Sequence, residues 1–264
     1  MMKNILGKGT LVAVSLGVML VATYGCDQQA PKCAAGRGAF ATKYKVVSGP
    51  PECGDVKGEM LGFATYNPSR RGDPRPDLDK ATIAIQSESL GILVDNADLA
   101  GVKDPDPNHH PYALGAFTTA EPVGDFCTVP TLSVATQSLA EVAADEENEI
   151  SEQPATNVTY DWKNIRLYVT PSAYGTQFAG DLTLTKDGLV CQYSVIGMYP
   201  YVSCAKEDPA NPENMIPDDK LCEAEPNYAE GRPTGSGINP DFPVRCDPEM
   251  LVCMLTKDTI PALR

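Results

Sequence analysis

The cysteine content is the feature that most constrains what this chain can fold into. The sequence has nine cysteines in 264 residues, and an odd number is unusual in an exported chain that forms disulfides. No two cysteines are spaced as C-x-x-C, and both histidines lie far from them in sequence, which argues against a thiolate metal site. If one cysteine has another use, eight remain for four disulfides: Cys33, Cys53, Cys127, Cys191, Cys204, Cys222, Cys246 and Cys253.

The pairing of these eight cysteines is left open by the sequence, because eight cysteines allow 105 connectivities. Short sequence separations favour one bridge between Cys33 and Cys53 and another between Cys246 and Cys253. The remaining two bridges would be shared by Cys127, Cys191, Cys204 and Cys222. Each bridge is expected to stabilise the fold by ~2–4 kcal/mol, which would hold loops that have little helix or strand signal.

The amino terminus accounts for the ninth cysteine. Residues 1–8 are basic, and residues 10–22 form an uncharged apolar run of about 13 residues, which is too short to span a bilayer that needs ~20. This anatomy is typical of a secretion signal. Residues 22–26 read Ala-Thr-Tyr-Gly-Cys, which resembles the lipobox of bacterial lipoproteins, with Tyr24 in place of the commoner alanine or serine. The resemblance implies that residues 1–25 are a signal peptide and that Cys26 is acylated.

A lipidated Cys26 would attach the protein to a membrane. Each buried CH₂ contributes ~0.8 kcal/mol, so firm anchoring requires more than one acyl chain, and the lipoprotein resemblance implies several chains, such as palmitate. Residues 26–32 then form a tether, and Cys33 follows the lipid by seven residues, within a reach of ~25 Å. We predict a lipid-anchored protein of the cell envelope, located in the outer membrane on its periplasmic or surface face.

The charge balance excludes one class of partner. The chain has 35 acidic and 21 basic residues, and its formal net charge is −14. Nucleic-acid binding needs clustered Lys and Arg that displace counterions from phosphates, so no nucleic-acid partner is expected. The expected partners are the membrane, through the lipid anchor, and an envelope protein or a glycan.

Short runs of alternating apolar and polar residues predict an all-β fold. The clearest are 159–170, 176–185 and 189–198, which read as three consecutive strands with an Asp-Gly hairpin turn between the last two. Such alternation implies strands with one wet and one buried face. The 23 prolines, nearly twice the usual content of ~5%, favour turns over helices because proline lacks a backbone donor and has a fixed φ. We predict an antiparallel sandwich or a partly open barrel that contains a meander, with long loops held by disulfides.

The remaining elements are shorter. Further strands are predicted over 43–47, 60–66, 81–86, 112–119, 128–136 and 250–255. One amphipathic helix is predicted over 89–99, where apolar residues recur at helical spacing. Residues 33–264 are predicted to form a single β-rich domain, with a subdivision at the acidic segment 139–157 as an alternative. That segment is interpreted as a flexible linker or an exposed helix stub, and 207–241 as a long loop pinned by disulfides.

No catalytic constellation can be assigned from the residues. His109 and His110 are the only histidines, and no Gly-x-Ser-x-Gly motif accompanies them. The same segment places Asp104, Asp106 and Asn108 at alternate positions, as at the start of a calcium loop. A histidine replaces the glycine of such a loop and its final glutamate is missing, so a rigid solvated loop is the alternative. Calcium at these three residues is the one cofactor that the sequence suggests.

These observations favour a non-enzymatic, lipid-anchored envelope protein with a binding or scaffolding role. The lipobox, the paired cysteines and the acidic, proline-rich loops together resemble uncharacterised envelope lipoproteins of myxobacteria, a resemblance that implies no activity. The alternative is a membrane-anchored hydrolase that acts on glycan or peptidoglycan through paired carboxylates. It requires a deep cleft with two convergent acids.

Overall fold

The computed structural model describes residues 30–264, of which Pro31–Arg264 form one compact unit. The predicted signal 1–25 and Cys26 lie outside the described residues. The strands are β1 (Gly38–Ser48), β2 (Met60–Tyr66), β3 (Thr82–Ser87), β4 (Ala113–Ala116), β5 (Phe126–Thr131), β6 (Ala135–Leu139), β7 (Thr156–Thr170), β8 (Ala173–Lys186), β9 (Leu189–Met198), β10 (Ala205–Asp208), β11 (Asn211–Pro217), β12 (Val244–Asp247) and β13 (Val252–Leu255). The helices are α1 (Glu88–Leu99) and three 3-10 turns at Pro51–Asp55, Asp219–Cys222 and Tyr228–Glu230.

Nine strands form one antiparallel sheet in the order β4-β3-β2-β1-β9-β8-β7-β5, with β6 also paired to β7. The two ends of the sheet approach each other. The Ser133 N–H donates to the Leu114 carbonyl at 2.7 Å, and the Thr118 N–H donates to the Thr128 carbonyl at 3.0 Å. The all-β prediction is confirmed, and of the two predicted architectures the chain adopts the nearly closed barrel.

The predicted meander is present as β7, β8 and β9. The turn between β8 and β9 places Asp187 at φ 49° and Gly188 at φ 85°, the pair of positive φ angles that a two-residue hairpin turn requires. The Asp187 side chain also accepts the Asn157 N–H at 2.7 Å, which ties the turn to the start of β7. Because this signal is local, the sequence alone was enough to find it.

The barrel interior is a packed core. Its largest buried side chains include Trp162, Tyr193, Phe40 and Phe178. The Phe40 ring lies 4.4 Å from the Phe63 ring and 5.8 Å from the Phe178 ring, measured between centroids. Aromatic side chains each bury ~150–250 Å² and dominate the energetics of such a core. A binding site must therefore lie on the outside of the barrel or at its ends.

The segment from Cys204 to Leu263, which we call the carboxy-terminal layer, forms a second layer on the outside of the barrel. Ile196 and Met198 of β9 pack there against a cluster that includes Phe242 and Ile260. Nearby, the buried Gln177 side-chain amide bonds both ways with Ala262, donating to its carbonyl at 3.0 Å and accepting its N–H at 2.8 Å. This layer covers the outer face of β8 and β9.

All eight described cysteines form disulfides, as predicted, but the local pairing is wrong. The bridges are Cys33–Cys127, Cys53–Cys191, Cys204–Cys246 and Cys222–Cys253. Cys246 and Cys253 are directly opposite each other on β12 and β13, so their side chains point to the same face. Cys204 and Cys222 lie against that face, with Cα–Cα distances of 5.8 and 5.6 Å that suit a disulfide.

Two segments without a clear sequence pattern have more structure than predicted. The acidic segment 139–157, interpreted as a linker or helix stub, folds back on itself through bridges between Val142 and Gln153 and between Asp145 and Ile150. Its apolar residue Val142 packs against Ala97 of α1. The predicted loop 207–241 contains the β10–β11 hairpin and two 3-10 turns, and two disulfides pin it.

The predicted strand 128–136 is two strands in the structure, because residues 132–134 are not in strand conformation. β5 and β6 then pair with different parts of β7, with Val129 opposite Ile165 and Ala135 opposite Tyr160. The long strand β7 thus holds both halves in one sheet.

Asp218 is expected to make the carboxy-terminal layer sensitive to acid. Its carboxylate accepts the Lys220 N–H at 3.0 Å, and its other oxygen lies 3.3 Å from Lys206 Nζ; these contacts lower the pKa of Asp218. The unfolded carboxyl titrates near 3.9, so this stabilisation is present above that pH and is lost as the pH falls through the folded-state pKa. The melting-temperature advantage of the wild type over Asp218→Asn at pH 7 should be smaller at about pH 2. Melts that show an equal difference at both pH values would contradict this expectation.

Candidate functional site

A concave surface lies on the outer face of β2, β3 and β4, which the carboxy-terminal layer leaves uncovered. This outer groove, as we name it, has a volume of about 780 Å³, within the ~300–1,000 Å³ typical of ligand pockets. Its floor is formed by Gly62 and Ala64 of β2 and Ala84 of β3. These outward-facing positions alternate with buried residues such as Phe63. A row of small side chains on adjacent strands sinks the floor below the surrounding surface.

The walls of the outer groove carry large apolar side chains that are exposed to solvent. Tyr66, Tyr112 and Leu114 are 57%, 36% and 39% exposed and line the groove. The sheet register sets Leu114 beside Ala84, and Ala84 beside Ala64. Clustered exposed apolar residues mark interaction sites on soluble proteins more often than single ones do. The groove is therefore the best-formed candidate for ligand binding on the described surface.

Arg37 is the charged residue in the lining of the outer groove. Its exposed side chain makes no hydrogen bond or ion pair with any residue from 30 to 264, whereas Lys32, five residues earlier, pairs with Asp79 and Glu121 at 3.0 and 2.9 Å. A guanidinium presents a planar fork of donors that matches carboxylates and phosphates. Arg37 can therefore bind an anionic group at the edge of an apolar surface.

The amino-terminal segment of the compact unit runs beside the outer groove. The Ala35 N–H donates to Thr65 Oγ1 of β2 at 2.9 Å, and the Cys33 N–H donates to the Ala120 carbonyl at 2.9 Å. The disulfide between Cys33 and Cys127 fixes the same segment covalently. The segment thus leads directly into Arg37 and Gly38, which line the groove.

A second, smaller pocket of about 300 Å³ contains two acids, Glu59 and Glu88. The Glu59 carboxylate accepts the Tyr44 hydroxyl at 2.7 Å, the Ser89 N–H at 3.1 Å and the Ser87 hydroxyl. Burial and then the negative charge of Glu59 raise the pKa of Tyr44 and of Tyr160. With both carboxylate oxygens occupied, Glu59 joins the start of α1 to the barrel.

The structure places the predicted calcium residues in one loop, but the carboxylate oxygens of Asp104 and Asp106 contact groups of the protein itself. Asp104 Oδ2 accepts the Ser138 N–H at 2.5 Å and lies 2.9 Å from His109 Nδ1. Asp106 Oδ1 accepts the backbone and side-chain N–H groups of Asn108, both at 2.9 Å. Burial acts to raise the pKa of Asp104, but the surrounding donors outweigh it and the pKa is lowered. Calcium binding at Asp104, Asp106 and Asn108 stays a prediction.

The loop that carries these residues supports the groove. The His110 ring stacks on the Tyr112 ring with centroids 5.2 Å apart and an angle of 6°, so the loop orients one groove wall. The groove was not predicted from the sequence, although the small residues Gly62, Ala64 and Ala84 within predicted strands indicate a surface with little side-chain volume. Their alignment depends on strand register, which a single sequence does not specify.

Comparison with known proteins identifies relatives. The MlpA family model matches residues 38–200, a range that contains β1 to β9 and most of the outer groove. A protein named "Putative lipoprotein MlpA" from Myxococcus xanthus is 28% identical over 260 residues, covering 94% of this chain and 92% of the relative. No solved structure matches the chain. The predicted resemblance to myxobacterial lipoproteins is confirmed.

Proposed function

The chain belongs to the MlpA family, and we propose that it is a lipid-anchored, non-enzymatic protein of the cell envelope with a binding role. The observation that carries this proposal is the near full-length similarity, 94% of the chain, to a protein whose name includes lipoprotein. No helix within residues 30–264 has the length and apolar character needed to cross a membrane.

Cys26 is the proposed attachment point. The other eight cysteines pair among themselves in four disulfides, and Cys26 is the ninth in the sequence. In this proposal residues 1–25 are removed as a signal peptide and Cys26 carries acyl chains such as palmitate. Residues 26–32 then tether the barrel to the outer membrane, on its periplasmic or surface face. More than one acyl chain is required, because a single acyl chain binds the membrane only reversibly.

The outer groove supports binding over catalysis. The residues that line it include no acid, histidine or cysteine, the residue types that act most often as general bases and nucleophiles. The alternative hydrolase requires two convergent carboxylates, one of them free to act as an acid. In the smaller pocket, Glu59 instead accepts hydrogen bonds from three donors of the protein itself. An envelope protein, a glycan or a lipid is the proposed class of partner.

Cys26→Ala tests the anchor. The substitution is expected to move the protein from the membrane fraction to the soluble fraction, because it removes the only proposed attachment. Fractionation and intact mass would be compared with Tyr24→Ser, which changes a neighbouring lipobox position and leaves the acylated cysteine in place. A Cys26→Ala protein that stays with the membranes, or a wild-type mass without acyl chains, would overturn the proposal.

A further inference from the structure

We propose that the outer groove binds an anionic membrane lipid, with an acyl chain on the floor formed by Gly62, Ala64 and Ala84 and the charged headgroup at Arg37. The inference rests on the proposed lipid anchor and extends it, since it names the ligand class of the groove. Three features of the structure carry it: the shape of the floor, the single charge at the rim, and the position of the amino-terminal segment.

The floor has the shape and chemistry that an acyl chain requires. A Cβ added at Gly62 would meet only the Gln86 carbonyl oxygen, at 3.7 Å, so open space lies directly above this residue. From Gly62 to Tyr66 the strand rises about 13 Å, which gives the floor an elongated form. Ala64 and Ala84 continue the apolar surface across two strands. Covering it with hydrocarbon removes apolar area from water, which is favourable.

The rim supplies one cation and two amphipathic aromatic side chains. The chain carries 35 acidic and 21 basic residues, yet no acidic residue within 30–264 forms an ion pair with Arg37. The guanidinium of Arg37 is therefore available to bind a phosphate or carboxylate. Tyr66 and Tyr112 combine an apolar ring with a polar hydroxyl, which suits the boundary between a lipid chain and its headgroup. A glycan would find side-chain hydrogen bonds at Asn67, Thr82 and Gln86, which also line the groove, but none on the floor between them, where glycine and alanine lie.

The anchor would hold the groove close to such lipids. Ala35 is bonded to the strand that forms the floor, and Pro31, where the compact unit begins, follows Cys26 by five residues. Five residues reach at most about 18 Å. A groove held at this distance faces a high effective concentration of membrane lipid, so even weak intrinsic affinity would keep it occupied.

The test uses the mature lipidated protein in vesicles of phosphatidylcholine that contain a phosphatidylglycerol probe with a photoreactive acyl chain. Cross-links mapped by peptide mass spectrometry are expected on β2, β3 and β4. Gly62→Leu fills the floor without a backbone clash and should lower these cross-links roughly tenfold, as should Arg37→Glu. With a photoreactive phosphatidylcholine probe, Arg37→Glu should have little effect on the cross-link yield, because the phosphatidylcholine headgroup has no net charge.

Matched controls separate the groove from general effects. Gly54→Leu adds the same side chain at another glycine where a Cβ meets nothing within 4 Å, and Arg245→Glu reverses the charge of an exposed arginine on β12. Both should leave the cross-links unchanged, and thermal melts should show that all four variants fold. An equal cross-link yield in the wild type and Gly62→Leu would overturn the inference. So would a lack of cross-links on β2, β3 and β4 because the anchor's own acyl chains or another molecule fill the groove. Failure of the protein to sediment with the vesicles would instead reject the lipid anchor.

Discussion

Replacement of both Cys53 and Cys191 by serine is expected to lower the free energy of unfolding by about 4 kcal/mol. The bridge joins residues 138 apart in sequence, so its loss greatly increases the conformational entropy of the unfolded chain. It ties the 3-10 turn after β1 to β9, and both cysteines are buried. The Cys33–Cys127 bridge shortens the effective loop, which is why we expect a value below the ~4.7 kcal/mol estimated for a 100-residue loop.

Chemical denaturation of the double variant would measure this loss, and the bridge between Cys222 and Cys253 provides the comparison. That bridge closes a separation of 31 residues, so replacing both of its cysteines by serine should cost about 1 kcal/mol less. If the two double variants lost equal stability, or if the order were reversed, loop entropy would not be the main contribution of these disulfides.

Replacement of Glu59 by alanine is expected to lower the free energy of unfolding by about 3 kcal/mol. Its carboxylate accepts hydrogen bonds from Tyr44, Ser87 and Ser89, and Tyr44 and Ser87 are buried. Without the carboxylate, buried hydroxyls lose their acceptor, and an unsatisfied buried polar group costs ~1–3 kcal/mol. The start of α1 would also lose a negative charge that favours its N-terminus.

Two further variants define the origin of this effect. Glu59→Gln keeps one acceptor oxygen and should have an intermediate cost. Glu88→Ala removes an exposed acid from the same pocket and should change stability by no more than about 0.5 kcal/mol. Urea denaturation of the three variants would give these values. A Glu59→Ala protein as stable as Glu88→Ala would show that water replaces the carboxylate and that Glu59 does not join α1 to the barrel.

The parts of the fold that the sequence predicted depend on local patterns. Alternation over β7, β8 and β9 and the Asp187-Gly188 turn identified the meander, and counting cysteines separated Cys26 from the eight that pair. The disulfide partners were missed because they depend on non-local strand pairing. Ser48 of β1 pairs with Gln192 of β9, which brings the following turn and its Cys53 to Cys191, and no pattern in either strand specifies that partner.

The outer groove and the β10–β11 hairpin were not predicted from the sequence, for different physical reasons. The groove forms where neighbouring side chains are small. It can be recognised only when Ala64, Ala84 and Leu114 are known to be neighbours across three strands. The hairpin of β10 and β11 lacks the usual alternation because every residue of β11 is exposed. Binary patterning predicts a strand only where one face is buried.

The two hydrogen bonds between Gln177 and Ala262 join β8 to a segment that lies outside the barrel sheet. Deletion of residues 261–264 would leave the buried Gln177 amide without both of these hydrogen bonds, an unfavourable state for a buried polar group. A longer deletion that also removed Phe242 and Ile260 would expose Ile196 and Met198, which are buried in the same cluster, and exposed apolar surface promotes aggregation and proteolysis. The solubility of the barrel is thus expected to depend on residues that lie outside its sheet.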